Sequence, residues 1–231
     1  MAMTLPSAIP VPETSATRLA AVQDGIFRAV ADARRTLGDV TLIAVSKTQS
    51  TDAIVPLIDA GQRHFGENRV QEAAAKWPEL REVYPDLTLH MIGQLQSNKA
   101  EDAVRLFDVI HALDRPSLLT ALARAMDKLD RRLPCFVQVD LAGEPQKGGC
   151  PVPELASLLA AARDADIAVA GLMTVPPVGL EPAPWLALLA KLADDHGLTG
   201  LSMGMSGDYS TAVRIGATHI RVGSALFGQR A

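Results

Sequence analysis

Short runs of apolar and β-branched residues alternate with amphipathic stretches along most of the chain. Eight such runs are present, and they begin at Val40, Arg63, Leu87, Asp108, Cys135, Ile167, Leu198 and His219. Between them, apolar residues recur at intervals of three and four, as at Leu118, Leu122 and Met126, which is the spacing of one helical face. The pattern predicts an α/β fold in which parallel strands are joined by crossover helices. We expect a single (β/α)8 TIM-type barrel, with a doubly wound open sheet as the alternative.

An extra helix is predicted before the first run. Its apolar positions recur at the same intervals: Leu19, Val22, Ile26, Val30, Ala33 and Leu37. Gly38 is expected to end it. Only eight residues follow Gly223, which leaves no room for a final crossover helix, so the N-terminal helix is expected to fill that position in the outer ring. We expect residues 1–13 to form a flexible proline-rich N-terminus and residues 14–231 to form the barrel.

Composition and charge exclude several classes of protein. A chain of 231 residues fits one barrel domain, and its net charge of −4 is spread along the sequence, so nucleic acid is not an expected partner. Cys135 and Cys150 are the only cysteines and have no metal-ligand spacing with the histidines, as is typical of a reducing compartment. Neither a membrane-spanning run nor a signal or transit peptide is recognised. We expect a monomeric, cytoplasmic protein that binds no membrane.

Lys47 is the first residue with candidate chemistry. It follows the first apolar run, and Ile43 and Val45 share its strand face, so its amine is expected to emerge over a dry barrel interior. Desolvation disfavours the ammonium form and lowers a lysine pKa, which is what a Schiff-base lysine needs. The alternative is a surface lysine at the end of a strand.

Two glycine-bearing loops follow the seventh and eighth runs, where barrels commonly bind phosphate. In the first loop, Ser206 and the backbone N–H groups of the next helical turn are able to hold a dianion. In the second loop, Gly223 and Ser224 offer another hydroxyl and more backbone donors. The alternative is that Ser206 or Asp208 caps a helix and that Gly223 only turns the chain.

Arg221 and Asn68 are candidates for contacts with the ring of a ligand. Arg221 shares a strand face with His219 and Gly223, and its donor-only guanidinium would keep a pyridine nitrogen unprotonated. A salt bridge at the barrel rim is the alternative for Arg221. Asn68, after the second run, either bonds to the ring or caps the next helix. His90, inside the apolar third run, is expected to be a core residue with satisfied hydrogen bonds.

Six ordered blocks of sequence carry a resemblance to a known family. They are AVSKT, FGENRVQE, HMIGQLQSNK, GLMTVPP, LSMGMSGDY and RVGSALFG. Together they closely resemble the pyridoxal phosphate homeostasis proteins, whose fold is like the N-terminal barrel of alanine racemase. The resemblance implies a protein that holds pyridoxal 5'-phosphate (PLP) as a Schiff base and buffers it or delivers it to apo PLP-dependent enzymes, without robust catalysis.

The resemblance also implies roles for individual residues. It implies Lys47 as the Schiff-base lysine, Ser206, Gly223 and Ser224 as phosphate contacts, Arg221 facing the pyridine nitrogen and Asn68 near the ring. Lys147 matches a family lysine only loosely, because glutamine precedes it where a small residue is usual.

A PLP-dependent amino-acid racemase with low activity is the alternative function. Two-base racemisation needs a second acid/base opposite the lysine, and racemases of this fold take a tyrosine from an additional β-domain of a partner subunit. The tyrosines here are Tyr84 and Tyr209, and Tyr209 lies close in sequence to the predicted phosphate loop. A Schiff-base aldolase is less favoured, because no paired carboxylate and second lysine stand out at the strand ends.

Overall fold

All eight predicted runs form parallel strands. The computed structural model describes residues 14–144 and 148–228, so the predicted flexible N-terminus and Lys147 lie outside the described residues. The barrel strands are β1 Thr41–Val45, β2 His64–Glu67, β3 Thr88–Met91, β4 Val109–Leu113, β5 Cys135–Asp140, β7 Val169–Met173, β8 Gly200–Ser202 and β9 His219–Val222. A ninth strand, β6 Cys150–Pro151, pairs with β5 outside this ring and was not predicted, because two residues are too short to show a strand period.

Closure of the sheet decides between the two predicted architectures. Neighbouring strands pair in chain order from β1 to β5, then through β7, β8 and β9, and β9 returns to β1 with Thr41 opposite His219. The pairing of β4 with β5 completes the ring. The predicted barrel is confirmed, and the open-sheet alternative is wrong.

Helices surround the barrel. They are α1 Ser15–Asp32, α2 Thr51–Asp59, α3 Val70–Val83, α4 Ala100–Leu106, α5 Pro116–Leu129, α6 Leu155–Asp164, α7 Ala183–Asp195, α8 Tyr209–Ile215 and α9 Ser224–Phe227. Helix α1 contacts α8, α9 and α2, so it fills the predicted position in the outer ring. Arg18 of α1 fixes it there by donating to the Leu226 carbonyl at 2.6 Å. The short helix α9 corrects the expectation that no helix follows the last strand.

The N-terminal helix ends earlier than its apolar spacing predicts. Helix α1 stops at Asp32, and Arg34 has a positive φ of 54°, which breaks the helical path. Thr36 and Asp39 then form a capping box around a separate 3₁₀ turn. Leu37, which the pattern placed on the buried face, is 54% exposed. The chain leaves the helix because this local box offers its backbone other partners.

The barrel interior is unusually polar for this fold. TIM-barrel interiors are usually filled by branched aliphatic side chains. Here Ile43 and Phe136 share the interior with His90, His111 and Arg221, all of which are buried. The aliphatic core instead lies between the outer faces of the strands and the helices. This division places buried polar groups directly beneath the carboxyl ends of the strands.

Candidate functional site

A cavity of about 730 Å³ opens at the carboxyl ends of the barrel strands. The volume lies in the range of small-molecule sites. All six residues predicted to bind a cofactor line it: Lys47, Asn68, Ser206, Arg221, Gly223 and Ser224. They come from the ends of β1, β2, β8 and β9, so closure of the barrel is what brings them together.

Lys47 is half-buried in a tight turn directly after β1. The next residue, Thr48, has a left-handed φ of 63°, which is uncommon for a β-branched residue. The Glu72 carboxylate of α3 accepts a hydrogen bond from the Thr48 backbone N–H. The turn that presents the lysine to the cavity is therefore fixed by a neighbouring helix.

A buried ion pair supports this turn from below. The Lys76 ammonium lies 2.8 Å from the Glu67 carboxylate, and both side chains are nearly or wholly excluded from solvent. Lys76 also donates to the backbone carbonyls of Ser46 and Gln49, at 2.9 and 3.2 Å. The Lys76 ammonium therefore binds the backbone both before and after Lys47.

Glu67 holds the same turn through a side chain. Its Oε1 atom accepts hydrogen bonds from Ser46 Oγ at 2.7 Å and from Trp77 Nε1 at 3.1 Å. Its Oε2 atom is buried without a hydrogen-bond partner among the residues the structure describes. Sequence reasoning missed this cluster, because a lysine in a helix is counted as a polar, exposed position although Lys76 is 8% exposed.

Ser206 joins the two predicted phosphate loops. Its Oγ atom accepts hydrogen bonds from the backbone N–H groups of Gly223 and Ala225, at 3.2 and 3.4 Å. Gly204, just before it, has φ +93°, and an added Cβ would lie 2.5 Å from the Ala212 side chain. The alternative that Ser206 caps α8 is wrong, since its hydroxyl binds the other loop. Asp208 likewise makes no side-chain cap.

Arg221 is a buried cation supported by neutral oxygen atoms. Its two terminal nitrogens donate to Ser202 Oγ and to the Thr174 carbonyl, both at 2.7 Å. Burial lowers the Arg221 pKa to about 10, and the charge of Asp208 partly opposes this. Within residues 14–144 and 148–228, no carboxylate oxygen lies within 4.0 Å of the guanidinium, so the salt-bridge alternative is wrong.

Asn68 lies between β2 and α3 and does not cap the helix. The residue at the cap position of α3 is Arg69, which makes no side-chain cap bond. Gly93 packs against Asn68 so closely that an added Cβ would lie 2.5 Å from the Asn68 carbonyl oxygen. Asn68 also borders a second cavity of about 390 Å³, which Gln94, Gln96 and Lys99 help to line. Asn68 therefore borders both cavities.

Neither tyrosine lines the large cavity. A Cβ added to Gly25 of α1 would lie 2.2 Å from the Tyr209 hydroxyl, so this ring points outward between α8 and α1. The Tyr84 hydroxyl donates to Asp59 on the outer surface. Tyr209 lies close in sequence to the predicted phosphate loops, but the start of α8 turns its side chain away from the barrel mouth.

Three histidines below the cavity form a hydrogen-bonded chain that sequence reasoning missed. His64 Nδ1 lies 3.1 Å from His90 Nε2, and His90 Nδ1 lies 3.0 Å from His111 Nε2. His111 Nδ1 then lies 2.8 Å from Ser202 Oγ. The expectation that His90 is a core residue with satisfied hydrogen bonds is confirmed. Its partners come from other strands, and no local pattern in the sequence brings them together.

Burial keeps these imidazoles neutral. Desolvation lowers the pKa of His90 and His111 well below the usual value, and neighbouring histidines add to the effect. His219 lies beside these three histidines and forms a hydrogen bond with the Thr218 hydroxyl. Its pKa is lowered to about 4, again mainly by desolvation. His64 is shifted in the same direction.

We expect the protein to lose stability on mild acidification. The unfolded chain protonates its histidines near pH ~6.5. In the folded state burial lowers the pKa of His90 and His111 well below this value and that of His219 to about 4. Between these values the unfolded state binds more protons, so the free energy of unfolding falls as the pH is lowered. Urea unfolding at about pH 7.5 and about pH 5 measures this. His219→Gln should reduce the slope of the free energy of unfolding against pH by nearly one proton, or about 1.4 kcal/mol per pH unit. A flat profile would contradict the expectation.

Other classes of site are not found in the described part of the chain. No cluster of three or more histidine, cysteine or acidic side chains is arranged to hold a metal ion there. Among the same residues, no helix combines the length and the apolar character that crossing a membrane requires. Both cysteines are buried and unpaired, and desolvation raises the pKa of Cys135 to about 12, so its thiol is unreactive.

Comparison with known proteins places this geometry in context. Residues 23–231 match the family model of the alanine racemase N-terminal domain. The pyridoxal phosphate homeostasis protein of Corynebacterium glutamicum is 38% identical over 207 residues, covering 84% of this chain and 91% of that protein. The protein of the same name from Pseudomonas aeruginosa is 37% identical over 223 residues, covering 94% and 96%.

Solved structures agree with the sequence comparison. PipY of Synechococcus elongatus with PLP bound is 40% identical, with a TM-score of 0.83, and the match covers 93% of this chain and all of PipY. Alanine racemase of Clostridium difficile is 13% identical with a TM-score of 0.67, covering 90% of this chain and 59% of that one. The likeness to the racemase shows a shared fold alone.

Proposed function

The chain belongs to the family of pyridoxal phosphate homeostasis proteins, and from this we propose that it binds PLP at the mouth of its barrel and buffers or delivers it in the cytoplasm. Lys47 is the residue proposed to hold the cofactor as a Schiff base, and the protein is proposed to act as a monomer. The observation that carries the proposal is the convergence of Lys47, the Ser206 and Gly223 loops and Arg221 around one cavity.

The donor set of the cavity fits PLP. A primary amine stands at one side, and two loops with hydroxyl and backbone N–H donors stand at another. Among the described residues, the hydrogen-bond partners of the buried Arg221 guanidinium are neutral. A buried cation without a carboxylate favours a ligand that brings hydrogen-bond acceptors or negative charge. When bound, PLP supplies an aldehyde with which a neutral primary amine condenses with loss of water.

Four residues that line the cavity have proposed roles in holding the cofactor. Ser206, Gly223 and Ser224 are proposed to bind the phosphate. The Ser206 oxygen already accepts two backbone hydrogen bonds, so the position of this hydroxyl is set before a ligand arrives. Arg221 is proposed to face the pyridine nitrogen. A donor-only group at that atom keeps the ring unprotonated and weakens it as an electron sink.

The positions of the tyrosines support a carrier over a racemase. Racemisation needs an acid/base group on the face opposite the lysine. Tyr209 and Tyr84 both lie away from the cavity. The chain therefore supplies the groups that bind PLP, whereas the second acid/base is not among the residues that line the cavity.

A transfer assay with a chirality control tests the function. The protein is loaded with PLP, freed of excess by gel filtration and mixed with an apo PLP-dependent enzyme, and the enzyme's activity is followed. We expect activity to return, while protein that has never received PLP restores none. In parallel, the loaded protein is incubated with L-alanine or D-alanine, whose chirality should persist. Failure to reactivate any apo enzyme, or rapid racemisation, would contradict the carrier assignment.

A further inference from the structure

The support of Arg221 continues downward through the barrel. Ser202 Oγ accepts from the Arg221 guanidinium at 2.7 Å and lies 2.8 Å from His111 Nδ1. His111, His90 and His64 then follow at 3.0 and 3.1 Å. This series of hydrogen-bonded side chains, called the histidine chain below, joins five strands: β9, β8, β4, β3 and β2. It leads from the cavity toward the amino-terminal ends of the strands.

The burial of Ser202 fixes the direction of every hydrogen bond in this chain. Ser202 is 0% exposed, and within residues 14–144 and 148–228 its hydroxyl has two partners, the Arg221 guanidinium and His111 Nδ1. The guanidinium only donates, so it cannot accept the hydroxyl proton. If His111 Nδ1 carried a proton, the Ser202 proton would be buried with no acceptor. Ser202 must therefore donate to His111 Nδ1.

The positions of the remaining protons follow from this assignment. A neutral imidazole has one donor nitrogen and one acceptor nitrogen. Because His111 accepts at Nδ1, it donates from Nε2 to His90 Nδ1. His90 then donates from Nε2 to His64 Nδ1. All three histidines are assigned to the same tautomer, protonated at Nε2, and each internal hydrogen bond contains one proton. The lowered pKa values of His90 and His111 are consistent with this neutral arrangement.

We propose that Ser202 and His111 are positioning residues for Arg221, and that the histidine chain holds the guanidinium toward the cavity without neutralising it. A carboxylate partner would hold an arginine equally well but would cancel its charge. A neutral hydroxyl, oriented by neutral imidazoles, leaves the positive charge available to the ligand. This inference rests on the proposed function, since PLP is the ligand that Arg221 is proposed to face.

The ring packing of His111 offers further support and a matched control. His111 stacks on Phe136, with ring centroids 4.4 Å apart, so its ring cannot turn without disturbing the interior. His219 also packs against both His111 and Phe136, with centroids 5.7 and 4.9 Å away. Its Nδ1 atom, however, lies 2.9 Å from the Thr218 hydroxyl, which is not part of the histidine chain. His219 therefore shares the surroundings of the chain without taking part in it.

Binding measurements on four variants test the positioning role. Ser202→Ala removes the acceptor of Arg221, and His111→Phe removes the acceptor of Ser202 while keeping an aromatic ring. We expect each to weaken PLP binding about tenfold, as for one lost hydrogen bond to a charged group. His111→Asn places an amide oxygen near the Nδ1 position and should restore affinity to within about threefold of the wild type. His219→Gln, the control, should stay within about twofold.

Nitrogen NMR of the ligand-free protein provides a readout that does not depend on PLP. In protein labelled with ¹⁵N at the imidazoles, His64, His90 and His111 should all show the tautomer protonated at Nε2. Ser202→Ala should release His111 from this tautomer. A wild-type His111 protonated at Nδ1 would overturn the assignment, even if His111→Phe fails to fold.

The outcomes separate this inference from the proposed function. If wild-type protein does not bind PLP, the proposed function fails and the positioning role fails with it, although the tautomer assignment is still decided by NMR. If the wild type binds PLP and Ser202→Ala binds it equally well, the positioning role alone is overturned. Weakened PLP binding in Ser202→Ala and His111→Phe, together with near wild-type affinity in His111→Asn, supports both the proposed function and the positioning role.

Discussion

The Lys47→Ala protein is expected to be colourless after incubation with PLP and removal of unbound cofactor by gel filtration, and to bind PLP at least about a hundredfold more weakly than the wild type, a difference of about 3 kcal/mol. The reason is that the covalent link is lost and only the proposed contacts from the Ser206 and Gly223 loops are left. Visible absorbance after gel filtration measures the first effect, and equilibrium dialysis against PLP measures the second.

Two control variants sharpen this prediction. Lys47→Arg keeps a positive charge at the cavity but removes the nucleophilic amine, so it should be as colourless as Lys47→Ala. Lys191→Ala removes an exposed lysine of α7 that pairs with Asp195, and it should bind PLP as the wild type does. Persistent colour in both Lys47 variants would show that another amine holds the cofactor.

The Lys76→Met protein is expected to lose about 3–5 kcal/mol of folding stability. The substitution leaves the wholly buried Glu67 carboxylate without its cation, and its Oε2 atom already has no hydrogen-bond partner among the described residues. The backbone carbonyls of Ser46 and Gln49 lose a donor at the same time. Urea unfolding of PLP-free protein near neutral pH measures the difference in free energy.

The size of the Lys76 effect depends on burial, and this is open to a direct check. Lys191→Met breaks a solvent-exposed pair on α7 and should cost no more than about 1 kcal/mol. The double variant Lys76→Met with Glu67→Gln removes the uncompensated charge and should recover part of the lost stability. Equal losses in Lys76→Met and Lys191→Met would mean that the buried pair has no special role.

The barrel and the cavity-lining position of the candidate residues were predictable because both depend on local features of the sequence. Each strand is a short apolar run, and Lys47, Asn68 and Ser206 come directly after such runs. In a parallel barrel every strand ends at the same rim, so residues that follow strands meet there without further information. Gly223 and Ser224 follow the last strand for the same reason.

The support beneath the cavity was not predictable in the same way. The links of the histidine chain join residues 26, 21 and 91 positions apart, and each histidine alone is an isolated polar residue in an apolar strand. Lys76 of α3 is buried where it meets Glu67 at the end of β2 and two backbone carbonyls of the turn between β1 and α2. Such partners are set by strand register and helix rotation, which residue patterns do not specify.

Side-chain direction at the start of a helix was also not predictable from the sequence. Tyr209 is close in sequence to the phosphate loops, yet it is the first residue of α8 and its ring packs against α1. Proximity along the chain predicts where a backbone lies, whereas the phase of the helix decides where a side chain points. Leu37 is exposed for a related reason: its spacing fits the apolar face of α1, but that helix has already ended at Asp32.

The most direct test of the central claim is borohydride reduction of the PLP-loaded wild-type protein, followed by peptide mass spectrometry. We predict one phosphopyridoxyl group, attached to the Lys47 side chain. An unmodified Lys47, or a label confined to another lysine such as Lys99 or Lys147, would contradict the account.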